Sequence, residues 1–173
     1  MNDKILTFLE KQTAASICCV NEINEPYSFS CFFAFNSKEN LLYYKSNPSA
    51  YHSKILLQNP KVSGTIMPDK LNKLAVKGIQ FTGVVLAEND PLCLDAFKKY
   101  HSRFPLAIAV PGVVSVIQLN QLKMTDNVPG IFKKHLWQRE KKPQPNLSEF
   151  HLQSYQQNPF LHFYQRKPRP ILL

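Results

Sequence analysis

The sequence has no apolar run of the roughly 18 residues that a membrane-spanning helix needs. It also lacks a G-x-S-x-G elbow, an H-E-x-x-H pair and, among its 5 glycines, a glycine-rich dinucleotide loop. The N-terminal segment MNDKILTFLEKQ has acidic residues and helical spacing, where a signal peptide has a basic start and a long apolar core. We therefore expect a cytoplasmic protein with no membrane partner, and the sequence identifies no catalytic residue.

The cysteines are few and do not form a metal-binding pattern. Cys18, Cys19, Cys31 and Cys93 include no C-x-x-C pair, and no histidine follows them at zinc-ligand spacing. Cys18 and Cys19 are adjacent, so they point to opposite faces of a strand and do not bridge each other readily. We expect no metal site and mostly buried, reduced thiols, with a regulatory thiol as the alternative.

Length and charge indicate one domain followed by a basic tail. A chain of 173 residues with 44% hydrophobic and 12% aromatic residues is typical of a single globular domain. From Lys133 onward eight basic residues face two acidic ones, so +6 of the formal charge of +9 lies there. Such a tail could bind nucleic acid, but solvated basic surface is the commoner explanation, so we do not expect a nucleic-acid partner.

The hydrophobic pattern predicts a mainly β protein with a few helices. Asn2 or Asp3 can cap a first helix, a second follows at residues 49–58, and Asp90-Pro91 begins a third. Gly78 and Gly83 interrupt one long strand, where glycine usually marks a bulge. The runs with strand character are residues 16–23, 27–35, 41–45, 61–65, 75–87 and 113–119. These runs predict a six-stranded antiparallel barrel.

Residues 41–65 predict an anion-binding site between two strands. A strand ends at Ser46-Asn47-Pro48, a short helix follows, and Asn59-Pro60 stops that helix before the next strand. Ser46, His52 and Lys54 are therefore expected near one turn and one helix start, where free backbone N–H groups and positive charge suit a phosphate.

This order of strand, Ser-Asn turn, basic helix start and Asn-Pro-basic-Val resembles the FMN-binding split barrels related to pyridoxamine 5'-phosphate oxidase. The segments GIQFTG at 78–83, YHSRFPLA at 100–107, QLKMTDN at 121–127 and KKHLW at 133–137 are similar to a small bacterial branch of that superfamily. The resemblance covers roughly residues 1–140 and implies a split β-barrel. Residues 141–173, rich in proline and aromatic residues, form a tail that we expect to pack on the barrel or on a dimer partner.

The resemblance implies FMN as cofactor and assigns its contacts. Tyr51 stands where the family usually has Arg, and His52 stands where it often has Lys, so the phosphate clamp has less permanent charge. For His52 a structural role is the alternative, and Trp137 could equally be a core or interface anchor. The phosphate would be held by Ser46, Asn47, His52 and Lys54, the ring or ribityl chain by Lys45 and Gln80, and the site walled across the dimer by Trp137.

For function, the resemblance implies a homodimeric flavin-dependent oxidoreductase acting on a small-molecule substrate. The alternative is a non-catalytic binder or sensor of flavin, haem or another anionic cofactor, since one fold serves many functions. The sequence offers no candidate for the basic C-terminal motif with which pyridoxamine 5'-phosphate oxidases hold their substrate, so that reaction is not assigned.

Overall fold

The computed structural model describes residues 1–72, 74–128 and 131–140. Two 3₁₀ turns, Pro91–Cys93 and Pro105–Ala109, flank the third helix. The helices are α1 Asp3–Lys11, α2 Tyr51–Gln58 and α3 Ala96–Arg103. The strands are β1 Ala14–Val20, β2 Pro26–Asn36, β3 Leu41–Ser46, β4 Lys61–Ile66, β5 Val76–Val85, β6 Val113–Val128 and β7 Ile131–Gln138.

Six of the strands close into an antiparallel ring, so the predicted mainly β split barrel is confirmed. The order is β3-β2-β1-β4-β5-β6, and β3 pairs with β6 to complete the ring. Strand β7 is an addition to the six predicted strands and pairs with the second half of β6 outside the ring. The bulge predicted near Gly83 is present, because the β5–β6 register shifts between Thr82 and Gly83.

Two buried clusters lie on opposite sides of the barrel wall. The interior is filled by side chains such as Ile17, Phe33 and Leu119, all almost fully buried. On the outer side of β3, Tyr43 packs with Tyr100 of α3. Successive strand residues point to opposite faces, so β3 contributes alternately to both clusters.

Some strands and helices begin or end at other residues than predicted, because side chains form hydrogen bonds within local turns. Asn21 Oδ1 accepts the N–H groups of Ile23 and Glu25, which ends β1 at Val20 before its predicted end. Asn2 caps α1 as predicted, by accepting from the Lys4 N–H. The helix predicted after Asp90-Pro91 is divided, since a 3₁₀ turn precedes α3.

The chain divides after Arg139 into two units. The predictions for the tail at 141–173 lie outside the described residues and stay predictions. Within the described residues, no helix is long and apolar enough to cross a membrane.

Candidate functional site

A short polar network lies where β3 ends and α2 begins. Ser46 Oγ is 2.6 Å from His52 Nε2 and 3.3 Å from Ser53 Oγ. The Ser53 hydroxyl also donates to the Asn47 carbonyl at 2.9 Å. The network holds the strand end and the helix start together, with Ser46 at its centre.

The imidazole of His52 is held between this network and an aromatic wall. Its ring stacks on Phe29 of β2 with centroids 3.8 Å apart and planes 11° apart, and Tyr27 lies further along the same face. Burial lowers the pKa of His52 below its ordinary value. The ring is therefore mainly neutral at pH 7, and the tautomer of the imidazole decides whether the Ser46 hydroxyl or Nε2 is the donor.

The start of α2 leaves backbone donors available for a ligand. The N-cap is Ala50, whose side chain makes no capping hydrogen bond. Asn47 Oδ1 instead accepts from Ser49 N and Ser49 Oγ, both at 2.9 Å, and thereby shapes the preceding turn. The first N–H groups of a helix have no intrahelical partner and favour an anion.

Lys45 and Lys54 do not reach this network. Lys45 follows the outer face of β3, and its ammonium donates to the Ala107 carbonyl at 2.8 Å and lies 3.3 Å from His101 Nε2. Lys54 lies on the other side of α2 and lines a separate hollow with Tyr51. Tyr51 itself contacts the β1–β2 turn, where its hydroxyl accepts from Asn21 Nδ2 at 3.4 Å. The predicted phosphate contact Lys54 and the predicted ring or ribityl contact Lys45 are therefore directed elsewhere in this conformation.

Gln80 and Trp137 lie together at a different place, on β5 and β7. Both line an open hollow of about 470 Å³ that crosses β5, β6 and β7. Gln80 is paired across the sheet with Lys123, and the Arg139 guanidinium lies 5.8 Å from the Trp137 ring centre. Trp137 is paired with the buried Leu122, so its side chain packs against the barrel core, as expected of a core anchor, on the face of the sheet opposite to Gln80.

The outer surface of β2, β1, β4 and β5 carries a patch of uncharged side chains, called here the hydroxyl face. Its members are directly opposed across the strands, so they share one side of the sheet. They are Ser16, Cys18, Ser28, Ser30, Ser63, Thr65, Gln80 and Thr82. All are exposed except Cys18, which is half-buried. Gln80 belongs both to this face and to the Trp137 hollow.

The structure thus brings Ser46, Asn47 and His52 together and places the other predicted contacts apart from them. Sequence analysis did not single out Ser53, although a hydroxyl on the first turn of a helix is a typical anion ligand. It also did not pair Phe29 with His52, since nothing in the spacing of 23 residues between them indicates a stacked contact.

The fold is that of the split barrels related to pyridoxamine 5'-phosphate oxidase. The chain is similar to a pyridoxamine 5'-phosphate oxidase-related, FMN-binding protein of Nostoc punctiforme (TM-score 0.57, 9% identity, 82% of this chain and 87% of that one). A FAD-binding protein of Mesorhizobium loti gives a TM-score of 0.59 with 15% identity, over 73% and 95% of the chains. A haem-binding protein of Mycobacterium smegmatis gives a TM-score of 0.62 with 12% identity. That match covers 75% of this chain and 55% of the haem-binding protein.

No protein-family model matches the chain. It is 33% identical over 132 residues to a UPF0306 protein of Photorhabdus laumondii, covering 76% of this chain and 92% of the relative. It is 31% identical over 137 residues to a UPF0306 protein of Serratia proteamaculans, covering 79% of this chain and 94% of that relative. The chain belongs to the UPF0306 family.

Proposed function

We propose that this protein binds FMN as a homodimer and acts as a flavin-dependent oxidoreductase on a small molecule. The observation that carries the proposal is the Ser46–His52 network beside the uncapped start of α2. A hydroxyl, an imidazole that can accept a proton and free backbone N–H groups together fit a phosphate. Bound flavin supplies the electron transfer, while the chain holds and orients it.

In this proposal, the residues of the Ser46–His52 network have different roles in binding the FMN phosphate. Ser46 donates to a phosphate oxygen, and His52 adds a charge-assisted hydrogen bond when a bound phosphate favours its protonated form. Ser53 keeps its hydroxyl on the Asn47 carbonyl and so holds the turn. Phe29 fixes the plane of the His52 ring, so the imidazole nitrogen stays aimed at Ser46 and at a ligand beside it. Asn47 shapes the turn through its side-chain oxygen.

A homodimer accounts for the separation of Gln80 and Trp137 from Ser46. In this arrangement, the Gln80–Trp137 hollow of one protomer covers the cofactor that is held by Ser46 and His52 of its partner. The hydroxyl face supports such a dimer, because it is an uncharged area bordered by Lys61 and Lys123, and two chains of formal charge +9 approach most easily through uncharged surface. Gln80 lies on that face, so it would be at the interface.

The alternative function is a non-catalytic binder or sensor, and one observation favours it. Among the described residues around Ser46 there is no ammonium or guanidinium, since Lys45 and Lys54 are directed elsewhere. A clamp without permanent charge suits a ligand that exchanges readily. Haem is less well supported than flavin at the Ser46 network, because His52 Nε2 already has a hydrogen-bond partner there. Among the described residues, the buried Nε2 of His135 on β7 has no such partner, but His135 lies outside this network.

Two measurements test the proposal. The purified protein is titrated with FMN and with riboflavin, which lacks the phosphate, and quenching of flavin fluorescence gives both affinities. We expect FMN to bind more tightly, and Ser46→Ala to reduce that advantage. Equal affinities for the two ligands would refute the phosphate site. The loaded protein is then mixed with a reduced nicotinamide: bleaching of the flavin absorbance supports the oxidoreductase, and stable colour supports the binder.

A further inference from the structure

The mouth of the barrel contains a cleft that continues beyond the candidate phosphate site. It lies between the ends of β3, β5 and β6 and is covered on one side by α2, with a volume of about 340 Å³. Barrel mouths are frequent sites for small ligands, and such pockets usually measure about 300–1,000 Å³. Ser46 and Ser53 border the cleft, so it begins where the candidate phosphate site ends.

The floor of the cleft is a pair of hydroxyls on neighbouring strands. Tyr44 of β3 is only 2% exposed and faces Ser115 of β6 directly across the sheet. Burial raises the pKa of Tyr44 to about 12, and the nearby Ser115 hydroxyl opposes that rise in part. The phenol is therefore protonated at neutral pH.

One hydrogen-bond donor of this pair is left over. Tyr44 and Ser115 have one O–H each, and a hydrogen bond between the two hydroxyls can use only one of them, so at least one O–H is left for a ligand. This remaining O–H borders the cleft and can donate to a ligand there. A ligand that places a carbonyl, ether or hydroxyl oxygen on the floor would satisfy it.

The walls and rim define the rest of the ligand. Val85 and Leu56 supply apolar wall, and no Lys, Arg or His is among the described residues that line the cleft. Glu88 is the one charged residue among them, and it is exposed. Burying a carboxylate or phosphate on the Tyr44–Ser115 floor, away from His52 and the start of α2, would leave its charge unpaired. We propose that the barrel mouth binds an uncharged, largely apolar small molecule through a hydrogen-bond acceptor at the Tyr44–Ser115 pair.

This proposal does not depend on flavin binding. Its test uses three probes of similar size, acetophenone, ethylbenzene and benzoate, with the full-length protein. Titrations are followed by ¹H–¹⁵N NMR, which also reports where each probe binds. We expect acetophenone to shift signals of β3, β6 and α2, to bind about tenfold more tightly than ethylbenzene, which lacks the acceptor, and to outcompete benzoate.

The variants separate this site from the phosphate site. The double change Tyr44→Phe with Ser115→Ala removes both hydroxyls and should abolish the preference for acetophenone over ethylbenzene. His52→Ala should leave that preference intact, and Ser63→Ala on the outer face of β4 is the matched control for a lost hydroxyl. Equal binding of benzoate, shifts confined to another surface, or an unchanged preference in the double variant would overturn the proposal.

Discussion

Ser46 Oγ lies 2.6 Å from His52 Nε2, and this hydrogen bond connects the last residue of β3 to the first turn of α2. Six residues separate the partners in the sequence, yet each belongs to a different element. Because the His52 ring is also stacked on Phe29, its nitrogen has little freedom to turn away from the site. The protonation state of His52 therefore controls the charge offered to a ligand at this position.

The first prediction is that FMN affinity falls as pH rises and that His52 causes the fall. Burial holds the pKa of free His52 below its ordinary value, and a bound phosphate would raise it. The extra affinity is fully present below the free pKa and is lost as pH rises through the bound pKa. His52→Lys should remove most of this dependence, and His52→Ala should cost roughly 1.5–3 kcal/mol at low pH.

Fluorescence titrations from about pH 5 to 9 measure this effect, a range that spans the ordinary histidine pKa. The phosphate of FMN also titrates in this range, but that contribution is common to wild type and both variants. Riboflavin serves as the ligand control, and its affinity should be independent of residue 52. If all three proteins show the same pH profile for FMN, His52 does not contact the phosphate.

The strands could be predicted from sequence because aromatic and branched residues alternate in short runs between turns. The closure of the ring could not, since the β3–β6 pairing joins segments 70 residues apart and leaves no local signal. Strand β7 was missed because Lys133 and Lys134 interrupt the alternation of an exposed, added strand.

The candidate site was predictable only in part. The network of Ser46, Asn47 and His52 follows from the turn and the helix start. The directions of Lys45 and Lys54 follow from periodicity. Lys45 and Ser46 are neighbours on a strand, so their side chains point to opposite faces. Lys54 is two residues after His52 on a helix, so their side chains point about 200° apart. Residue type and nearness in sequence favoured grouping Lys54 with Ser46, and the resemblance placed Lys45 at the flavin ring or ribityl chain, whereas the backbone directs both side chains away from Ser46.

The second prediction concerns close packing at Gly64 of β4. A Cβ at this position would lie 2.5 Å from the Ser16 carbonyl oxygen and would overlap the Phe81 ring. Gly64→Ala should therefore destabilise the protein by about 1–3 kcal/mol through overpacking. Gly78→Ala is the matched control, because its Cβ would stay 3.1 Å from its nearest neighbours, one of which is the flexible Met67 side chain. Urea unfolding should show a clearly lower midpoint for Gly64→Ala, and equal midpoints would contradict the packing.

The third prediction concerns Arg139, which follows β7 and clamps it to the β2–β3 turn. Its guanidinium donates to the carbonyls of Leu119, Glu39 and Asn40 at 2.7, 2.8 and 2.9 Å. Lysine cannot reproduce this fork, so Arg139→Lys should lower the free energy of unfolding by roughly 1.5–3 kcal/mol. Chemical denaturation, followed by the fluorescence of Trp137, measures this free energy of unfolding for the wild type and the variant. Lys123→Arg, an exposed exchange on β6, is the control, and an unchanged midpoint for Arg139→Lys would show that the clamp contributes little.

The last prediction tests the hydroxyl face as the dimer interface. Ser63 lies near its centre, opposed by Cys18 on one side and Thr82 on the other. Ser63→Arg would place a charge from each protomer into an interface without acidic partners, so the dimer dissociation constant should rise by at least about tenfold. Sedimentation at micromolar concentration gives the mass, and FMN titration reports the shared site, which should be lost together with the dimer.

Ser102→Arg on the exposed side of α3 is the control, because it adds the same charge elsewhere; it should change neither the mass nor the FMN affinity. A dimer that survives Ser63→Arg with FMN still bound would place the interface on another surface, and Gln80 would then have no part in holding the cofactor of its partner.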